Sequence, residues 1–464
     1  GLLFELGRHD EAAEVLDLQR AAGAFQLELL RLSGRPDLAA DLARLADARA
    51  KNEAARERLK AAYDQPRATR AKHAVDALVE DLKASDAALS PLLASLERSS
   101  SIPLASKALA RARERLPRGT AMVEYFVAAD ALYLFVLGPA ARAKGTPRTT
   151  LAARKVKVGA AELARTIDRY RQLLATDSAL AEPLGRDLYR WLLAPAMEGL
   201  DAETRHSTTF LLLPHGPLAA VPFGALVTSA PGAPTRYALE DLRLAITSAQ
   251  SLAHLLAGPR TRAVVGPILG LVDPDGTLSE ARAELDEAPL PTTLLAGRDA
   301  TEARMLGALR AAPATRILHF ATHGRAAADP LRSALLLASG PLEVRRVATL
   351  GGTRALDGIG LVVLSACETA PALGDRPGEL LSLADGFAVA GIPTLIGTLW
   401  EVDDRATRLL FNRFYLALAD PSRGDTLEAL RAAQLQVSRF EEGGRRPFAD
   451  PRYWSAFQLI GDFR

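Results

Sequence analysis

Cys367 and His323 are the residues of this sequence whose types and surroundings best suit covalent chemistry. Each follows a run of apolar and β-branched residues, at 359–364 for the cysteine and at 316–321 for the histidine, and such runs are typical of buried strands. The carboxyl ends of parallel strands meet at one edge of a sheet, where active sites commonly lie. A thiol and an imidazole at that edge could serve as nucleophile and general base on a carbonyl carbon. The pair therefore predicts the chemistry of a cysteine hydrolase.

Gly324 directly follows the histidine and could serve the same reaction. Because glycine has no Cβ, its backbone N–H can come close to a developing negative charge. The backbone N–H of Cys367 could supply a second donor. Together these two amides form a candidate oxyanion hole.

Each of these residues also has an ordinary structural explanation. A lone cysteine at a strand end is commonly an inert buried thiol, and a lone histidine is commonly a hydrogen-bonded structural residue. Catalysis becomes the favoured interpretation because Cys367 and His323 occupy equivalent strand-end positions and a glycine follows the histidine. His319 lies inside its strand among apolar neighbours, and we interpret it as structural.

The composition limits the class of protein. A length of 464 residues allows two or three domains, and the hydrophobic share of 48% and charged share of 24% are those of a globular protein in solution. Basic residues are spread along the chain and balanced to a net charge of +2, which does not support nucleic-acid binding. A single cysteine cannot form an internal disulfide and excludes a CxxC site, so we expect a reducing, cytoplasmic compartment. No run approaches the roughly 18 apolar residues of a membrane helix.

The first quarter of the chain differs in pattern from the rest. Residues 1–115 indicate amphipathic helices, and the turn and Ala-rich segment at 7–16 are similar to half of a tetratricopeptide repeat. Because the chain starts at Gly1 within this helical pattern, we expect N-terminal sequence to be missing. We predict a helical region at 1–115 and a second domain at 116–464.

The second domain has the pattern of an α/β fold. Segments 121–127 and 131–137 predict a β-hairpin. Apolar strands then alternate with helices, which indicates a mostly parallel sheet covered by helices on both faces. The predicted strands are 208–213, 262–272, 292–295, 315–321, 359–364 and 393–398. The predicted helices are 158–175, 180–200, 247–257, 279–287, 300–311, 343–350, 379–390, 403–419 and 424–439, with a packed terminal segment at 453–457.

Two motifs, HFATHG at 319–324 and LSACET at 364–369, resemble the signature of the CHAT family. These are caspase-like cysteine peptidases that are commonly fused to tetratricopeptide repeats. The resemblance covers 117–464 and implies a caspase-hemoglobinase-like fold with a His–Cys dyad, carried here onto His323 and Cys367. Further matching segments are 211–218, 221–223, 378–379, 390–393, 397–404 and 454–462. His215 departs from the family, which more often has Asp in that turn.

Acidic residues near the same sheet edge could select a substrate. Glu401, Asp403 and Asp404 follow the strand at 393–398 and could form a pocket for a basic side chain on the residue before the scissile bond. The alternative, which we favour, is that Asp403 caps the next helix and the neighbouring acids complement its dipole. Glu368 could face the cleft or cap the segment that follows.

The segment 368–379 directly follows the cysteine and is polar with Gly and Pro, which is typical of a mobile active-site loop.

We expect a bacterial, cytoplasmic cysteine endopeptidase that is latent until a protein partner binds the helical region. No metal or organic cofactor is implied. The alternatives are a CHAT-like scaffold that binds a peptide without cutting it, and a helical adaptor with a passive sheet domain.

Overall fold

The chain is represented by a computed structural model. It describes residues 4, 7, 9, 12–13, 39–64, 72–100, 112, 114–138, 150–176, 178–198, 200–256, 263–278, 280–327, 329–367 and 379–464. Within this part of the chain, no helix is both long enough and apolar enough to span a membrane.

Two long helices, α1 (Ala39–Asp64) and α2 (Lys72–Ser100), pack against each other in the N-terminal region. A hydrogen bond of 2.8 Å from Asn52 Nδ2 to Ser85 Oγ joins them. Apolar side chains at helical spacing are buried, namely Leu45, Leu59, Val75, Val79 and Leu82. These helices agree with the helical character predicted for 1–115. The predicted repeat-like segment at 7–16 lies mostly outside the described residues and stays a prediction.

One sheet of thirteen strands is built from the described residues. The strands are β1 (Thr120–Val127), β2 (Leu132–Gly138), β3 (Thr150–Val156), β4 (Thr209–Leu213), β5 (Arg243–Ile246), β6 (Ile268–Val272), β7 (Thr292–Ala296), β8 (Ile317–Arg325), β9 (Ala334–Leu337), β10 (Gly340–Glu343), β11 (Leu361–Cys367), β12 (Thr394–Thr398) and β13 (Phe457–Gly461).

The spatial order of the strands is β7-β6-β8-β11-β12-β13-β5-β4-β1-β2-β3, and the β9–β10 hairpin pairs with the last residues of β8. Nine of the described strands, β1, β4 to β8 and β11 to β13, each have a parallel neighbour. The predicted hairpin is confirmed, because β1 pairs antiparallel with β2. The predicted mostly parallel sheet is confirmed as well.

Helices cover both faces of this sheet. Along β11 the side chains alternate between two apolar clusters, with Val362 and Leu364 in one and Leu361 and Val363 in the other. The remaining helices are α3 (Ala160–Thr176), α4 (Ser178–Leu192), α5 (Ala202–Ser207), α6 (Ala238–Asp241), α7 (Ala249–Leu256), α8 (Ala283–Asp286), α9 (Glu302–Ala311), α10 (Val344–Gly352), α11 (Glu379–Val389), α12 (Asp404–Ala419) and α13 (Thr426–Ser438).

Several predicted segments differ from the structure. The helix predicted at 180–200 is α4, which ends at Leu192. The strand predicted at 262–272 begins only at Ile268, after Pro267, which has no N–H for a ladder. The helix predicted at 279–287 is the single turn α8. The terminal segment continues into β13, which lies between β12 and β5 and is antiparallel to β12. A short apolar run does not reveal which strands it will join, because that depends on residues far away in the chain.

Candidate active site

Strands β8 and β11 bring the predicted nucleophile and base to one place. They are parallel neighbours, and their register sets Cys367 opposite His323 and Ser365 opposite Ala321. Neighbouring strands lie about 4.8 Å apart, so the two backbones are adjacent at this edge. The predicted adjacency of the two strands is confirmed. Both strands extend further than predicted, because the ladder continues through the His323–Cys367 pair.

The His323 ring is held by a turn that follows β6, the strand beside β8. Its Nε2 atom lies 2.7 Å from Thr277 Oγ1 and 3.6 Å from Asp275 Oδ2. Asp275 Oδ1 in turn accepts hydrogen bonds from Thr277 Oγ1 at 2.7 Å and from Thr277 N at 3.2 Å. The Thr277 hydroxyl, above all, and the nearby His323 ring lower the pKa of the Asp275 carboxyl. The side chain of His323 is 32% exposed, so the ring is accessible from solvent.

Sequence reasoning missed Asp275 and Thr277. A usable signal was present, because DPDGT at 273–277 is a turn sequence placed directly after a predicted strand. Such a turn lies at the same carboxyl edge as His323 when its strand is parallel to β8. The residues of this turn form no recognisable catalytic spacing with the histidine 46 positions later.

His319 lies four residues before His323 on β8 and has very different surroundings. It is fully buried, with Nδ1 at 2.8 Å from the Tyr415 hydroxyl and Nε2 at 2.9 Å from Glu284 Oε2. The ring also meets Phe411 edge-on, with centroids 5.0 Å apart. These contacts agree with the structural interpretation of His319.

Glu284 connects this buried network to the strand of the cysteine. Its Oε1 accepts a 2.9 Å hydrogen bond from Ser365 Oγ, two residues before Cys367. Burial raises the pKa of the Glu284 carboxyl, and its hydrogen bonds with His319 and Ser365 oppose that effect. Sequence reasoning missed Glu284 because a single acid in a short helical segment carries no pattern.

A narrow cleft of about 20 Å³ lies beside Ser365, enough room for roughly one water molecule. Glu284 and Asp404 both line it, together with Thr398, Trp400 and Val402. Burial raises the pKa of Asp404, and the neighbouring acids Asp403, Glu280 and Glu401 raise it further. The cleft therefore has an acidic wall close to the strand of the cysteine.

The predicted acids divide between two roles in the fold. Asp403 caps α12, because its Oδ1 accepts a 2.9 Å hydrogen bond from the N–H of Ala406. This confirms the capping interpretation for that residue. Glu401 is exposed, whereas Asp404 contributes to the cleft. Glu368 lies outside the described residues, as does most of the predicted loop 368–379.

Two further sequence-predicted positions have defined backbone or ring contacts. Gly324 pairs with Leu335 at the start of the β8–β9 ladder, one residue beyond His323. The His215 ring accepts a 3.1 Å hydrogen bond from the N–H of Val127 and contacts Phe126, which fixes the turn after β4 to β1. No group of three or more potential metal-ligating side chains occurs among the described residues.

The family model for the CHAT domain matches residues 182–462, more than half of the chain. Comparison with curated protein sequences gave no significant match.

Several solved structures are similar to the chain, among them a separase and a gingipain. The separase of the Saccharomyces cerevisiae separase–securin complex is 10% identical with a TM-score of 0.45, over 96% of this chain and 40% of that chain. The Arg-specific cysteine proteinase gingipain R is 10% identical with a TM-score of 0.39, over 65% of this chain and 74% of that one. The chain thus spans less than half the length of the separase chain.

Proposed function

Because this chain belongs to the CHAT-domain family, we propose that it is a cysteine endopeptidase with His323 and Cys367 as its catalytic residues. The observation that carries the proposal is the register that sets these two residues opposite each other on adjacent parallel strands. The Thr277 contact of the His323 ring supports it further, because a general base needs a third group to orient it.

The reaction uses groups that these strands supply. His323 accepts the proton of the Cys367 thiol, and the thiolate sulfur forms a bond to the carbonyl carbon of the substrate. The carbonyl oxygen becomes an oxyanion held by the backbone N–H groups of Gly324 and Cys367. The imidazolium then protonates the leaving amine as the C–N bond breaks, and water hydrolyses the acyl-enzyme with His323 as base.

The test is covalent labelling and proteolysis in matched variants. Cys367 is the single thiol, so an acyloxymethyl-ketone peptide should label the protein with a stoichiometry of one and should not label Cys367→Ala. In a peptide-library digest, the turnover of His323→Ala should be ~10²- to 10⁴-fold lower than that of wild type, the usual effect of removing a general base. His206→Ala, at an exposed position of α5, is the matched control and should keep full activity. Undiminished proteolysis in Cys367→Ala or His323→Ala would refute the proposal, and peptide binding without cleavage in the wild type would favour a scaffold.

We also propose that the acidic cleft beside Ser365 selects a basic side chain, Arg or Lys, before the scissile bond. Two carboxyl groups, of Glu284 and Asp404, line it. The cleft must widen to admit such a side chain. Cleavage-site profiling of Asp404→Asn should reveal a reduced preference for Arg and Lys, while Asp403→Asn, at the helix cap, should keep the wild-type profile. Equal profiles for all three proteins would contradict this assignment.

The helical region is proposed to regulate the peptidase through a protein partner in the cytoplasm of a bacterium. Contact between the two regions supports this, because Phe4 packs on Tyr133 and Phe135 of β2 with ring centroids 4.7 and 6.0 Å away. Phe4→Ala in the full chain and a chain of residues 117–464 should both change basal activity. Equal activity of all three proteins, with and without cell extract from the source organism, would argue against control by the helices.

A further inference from the structure

We propose that Thr277 and Asp275 are positioning residues that fix the tautomer of His323 and stabilise its protonated form. This inference rests on the proposed function of His323 as the base for Cys367. It concerns a turn, 273–278, that neither the family signature motifs nor the strand-end pattern includes.

The hydrogen bonds among Asp275, Thr277 and His323 determine which nitrogen of the His323 ring carries the proton. The Thr277 hydroxyl has one proton and lies 2.7 Å from Asp275 Oδ1 and 2.7 Å from His323 Nε2. An ionised carboxylate can only accept hydrogen bonds, so the hydroxyl donates to Asp275. The hydroxyl oxygen then accepts from His323 Nε2, which must carry a proton. In the neutral ring, this leaves Nδ1 as the unprotonated nitrogen and therefore as the base.

The turn is built to hold these groups in place. Asp273 has a positive φ of 47°, and Gly276 has a φ of 83°, a conformation that glycine adopts without strain. Asp273 Oδ1 accepts a 2.9 Å hydrogen bond from the N–H of Leu278, which closes the turn around Asp275 and Thr277. Because β6 pairs directly with β8, the turn is anchored beside His323 by the sheet itself.

The charge of Asp275 stabilises the protonated, cationic state of the His323 ring. When the S–H bond of Cys367 breaks, its proton moves to Nδ1 and the imidazole becomes a cation. Asp275 Oδ2 lies 3.6 Å from Nε2, close enough to stabilise that cation. No proton passes to the carboxylate, and the Thr277 hydroxyl keeps its own. In the described part of the chain, Asp275 is the carboxylate paired with the His323 ring.

The stabilised imidazolium should in turn favour the thiolate of Cys367. A thiolate next to a cationic ring forms at lower pH than an isolated thiol, whose pKa is ~8.5. Removing the contacts of Thr277 or Asp275 with the His323 ring should therefore make the thiolate form only at higher pH. A purely structural role of the turn would reduce activity equally at every pH and would leave this titration unchanged.

The experiment measures the rate at which iodoacetamide alkylates the single thiol between pH 4 and 10, in the full-length protein. We expect His323→Ala to move the midpoint toward that of a free thiol. Thr277→Val and Asp275→Asn should each move it part of the way, with the rate at pH 6 falling up to ~10-fold, which corresponds to about one unit of pKa. Thr277→Ser keeps the hydroxyl and should behave as wild type. The control Asp357→Asn removes an exposed charge near the amino end of β11 and should have no effect.

The outcomes separate this inference from the function on which it rests. If His323→Ala shifts the midpoint and neither Thr277→Val nor Asp275→Asn does, the positioning role is overturned and the dyad stands. If His323→Ala leaves the midpoint unchanged, the thiol and the ring are not coupled, and the proposed function fails with this inference. A loss of alkylation in Thr277→Ser as large as in Thr277→Val would also overturn the role of the hydroxyl. The Thr277 and Asp275 variants alter exposed side chains of one turn, and thermal melts of every variant, Asp357→Asn included, will check that each is folded.

Discussion

His319 and His323 lie on the same strand, four residues apart, and the fold uses them in opposite ways. His319 is fully buried and both of its ring nitrogens have partners, Tyr415 and Glu284. His323 is 32% exposed, and the described residues provide a hydrogen-bond partner for Nε2. A ring held at both nitrogens inside the protein cannot exchange protons readily, whereas a ring at the strand end with one nitrogen held can. Position along the strand, rather than residue type, separates structure from chemistry.

The carboxyl groups of Asp275 and Asp385 also differ in their exposure to solvent. Asp275 is exposed at the sheet edge, and its hydrogen bonds with Thr277 lower its pKa. Asp385 on α11 is partly exposed as a residue, but its Oδ1 atom is shielded from solvent and has no hydrogen-bond partner among the described residues. Desolvation raises the pKa of Asp385 to about 6, although a hydrogen bond with Ser248 opposes the shift. Hydrogen bonds from Thr277 therefore decide the direction of the shift at Asp275, whereas desolvation decides it at Asp385.

The largest effect on the free energy of unfolding should come from substituting the buried histidine, His319. His319→Ala removes the ring that faces Glu284 and leaves its buried carboxyl with the Ser365 hydroxyl as its remaining described partner. This should cost on the order of 3–5 kcal/mol of unfolding free energy. His323→Ala should change that free energy by less than ~0.5 kcal/mol, as expected for a partly exposed side chain. Urea denaturation of the two variants measures both values. Similar losses in both would mean that the two histidines do not differ in the way described.

A smaller effect should separate the buried carboxyl from the exposed one. The folded-state pKa of Asp385 is about 6, above the ordinary value of 3.8, so the folded state binds the proton more tightly. The stability contributed by this group is therefore complete below pH ~4 and is lost as the pH rises through 6. Because the residue is partly exposed, we expect a loss of roughly 2 kcal/mol. Asp385→Asn should remove this dependence and be more stable than wild type at pH 8 in urea titrations.

The exposed carboxyl provides the control for that prediction. The pKa of Asp275 is lowered, so Asp275→Asn should not make the protein more stable at pH 8 than wild type. Parallel pH profiles of stability for wild type and Asp385→Asn would show that burial does not govern the Asp385 carboxyl.

The smallest effect should distinguish two neighbouring acids at the edge. Asp403 caps α12, so Asp403→Ala should lower the free energy of unfolding by about 0.5–2 kcal/mol. Asp404→Ala removes no such cap and should cost less. Thermal melts of the two variants, side by side, measure the difference. A larger loss of stability for Asp404→Ala would contradict the assignment of the stabilising cap to Asp403.

Several elements of this fold and site were predictable from local pattern. Apolar runs of the right length predicted β8 and β11, and the rule that parallel strands share a carboxyl edge predicted that His323 and Cys367 would lie on adjacent strands. His319 was predicted to be structural because its neighbours in sequence are apolar. Asp403 was favoured as a cap because it precedes a helix. Each of these inferences uses residues within a few positions of the one concerned.

The partners of these residues were decided by the tertiary structure alone. His319 meets Tyr415 from 96 positions away and Glu284 from 35 positions away, and His323 meets Thr277 from 46 positions away. The place of β13 between β12 and β5 likewise depends on how distant strands assemble. Sequence determined which residues end their strands at one edge, because strand formation follows from short-range periodicity and the alternation of strands with helices indicates parallel strands. Which side chains surround them was left to the packing of helices and turns from elsewhere in the chain, because hydrogen-bond partners depend on three-dimensional proximity that no local pattern encodes.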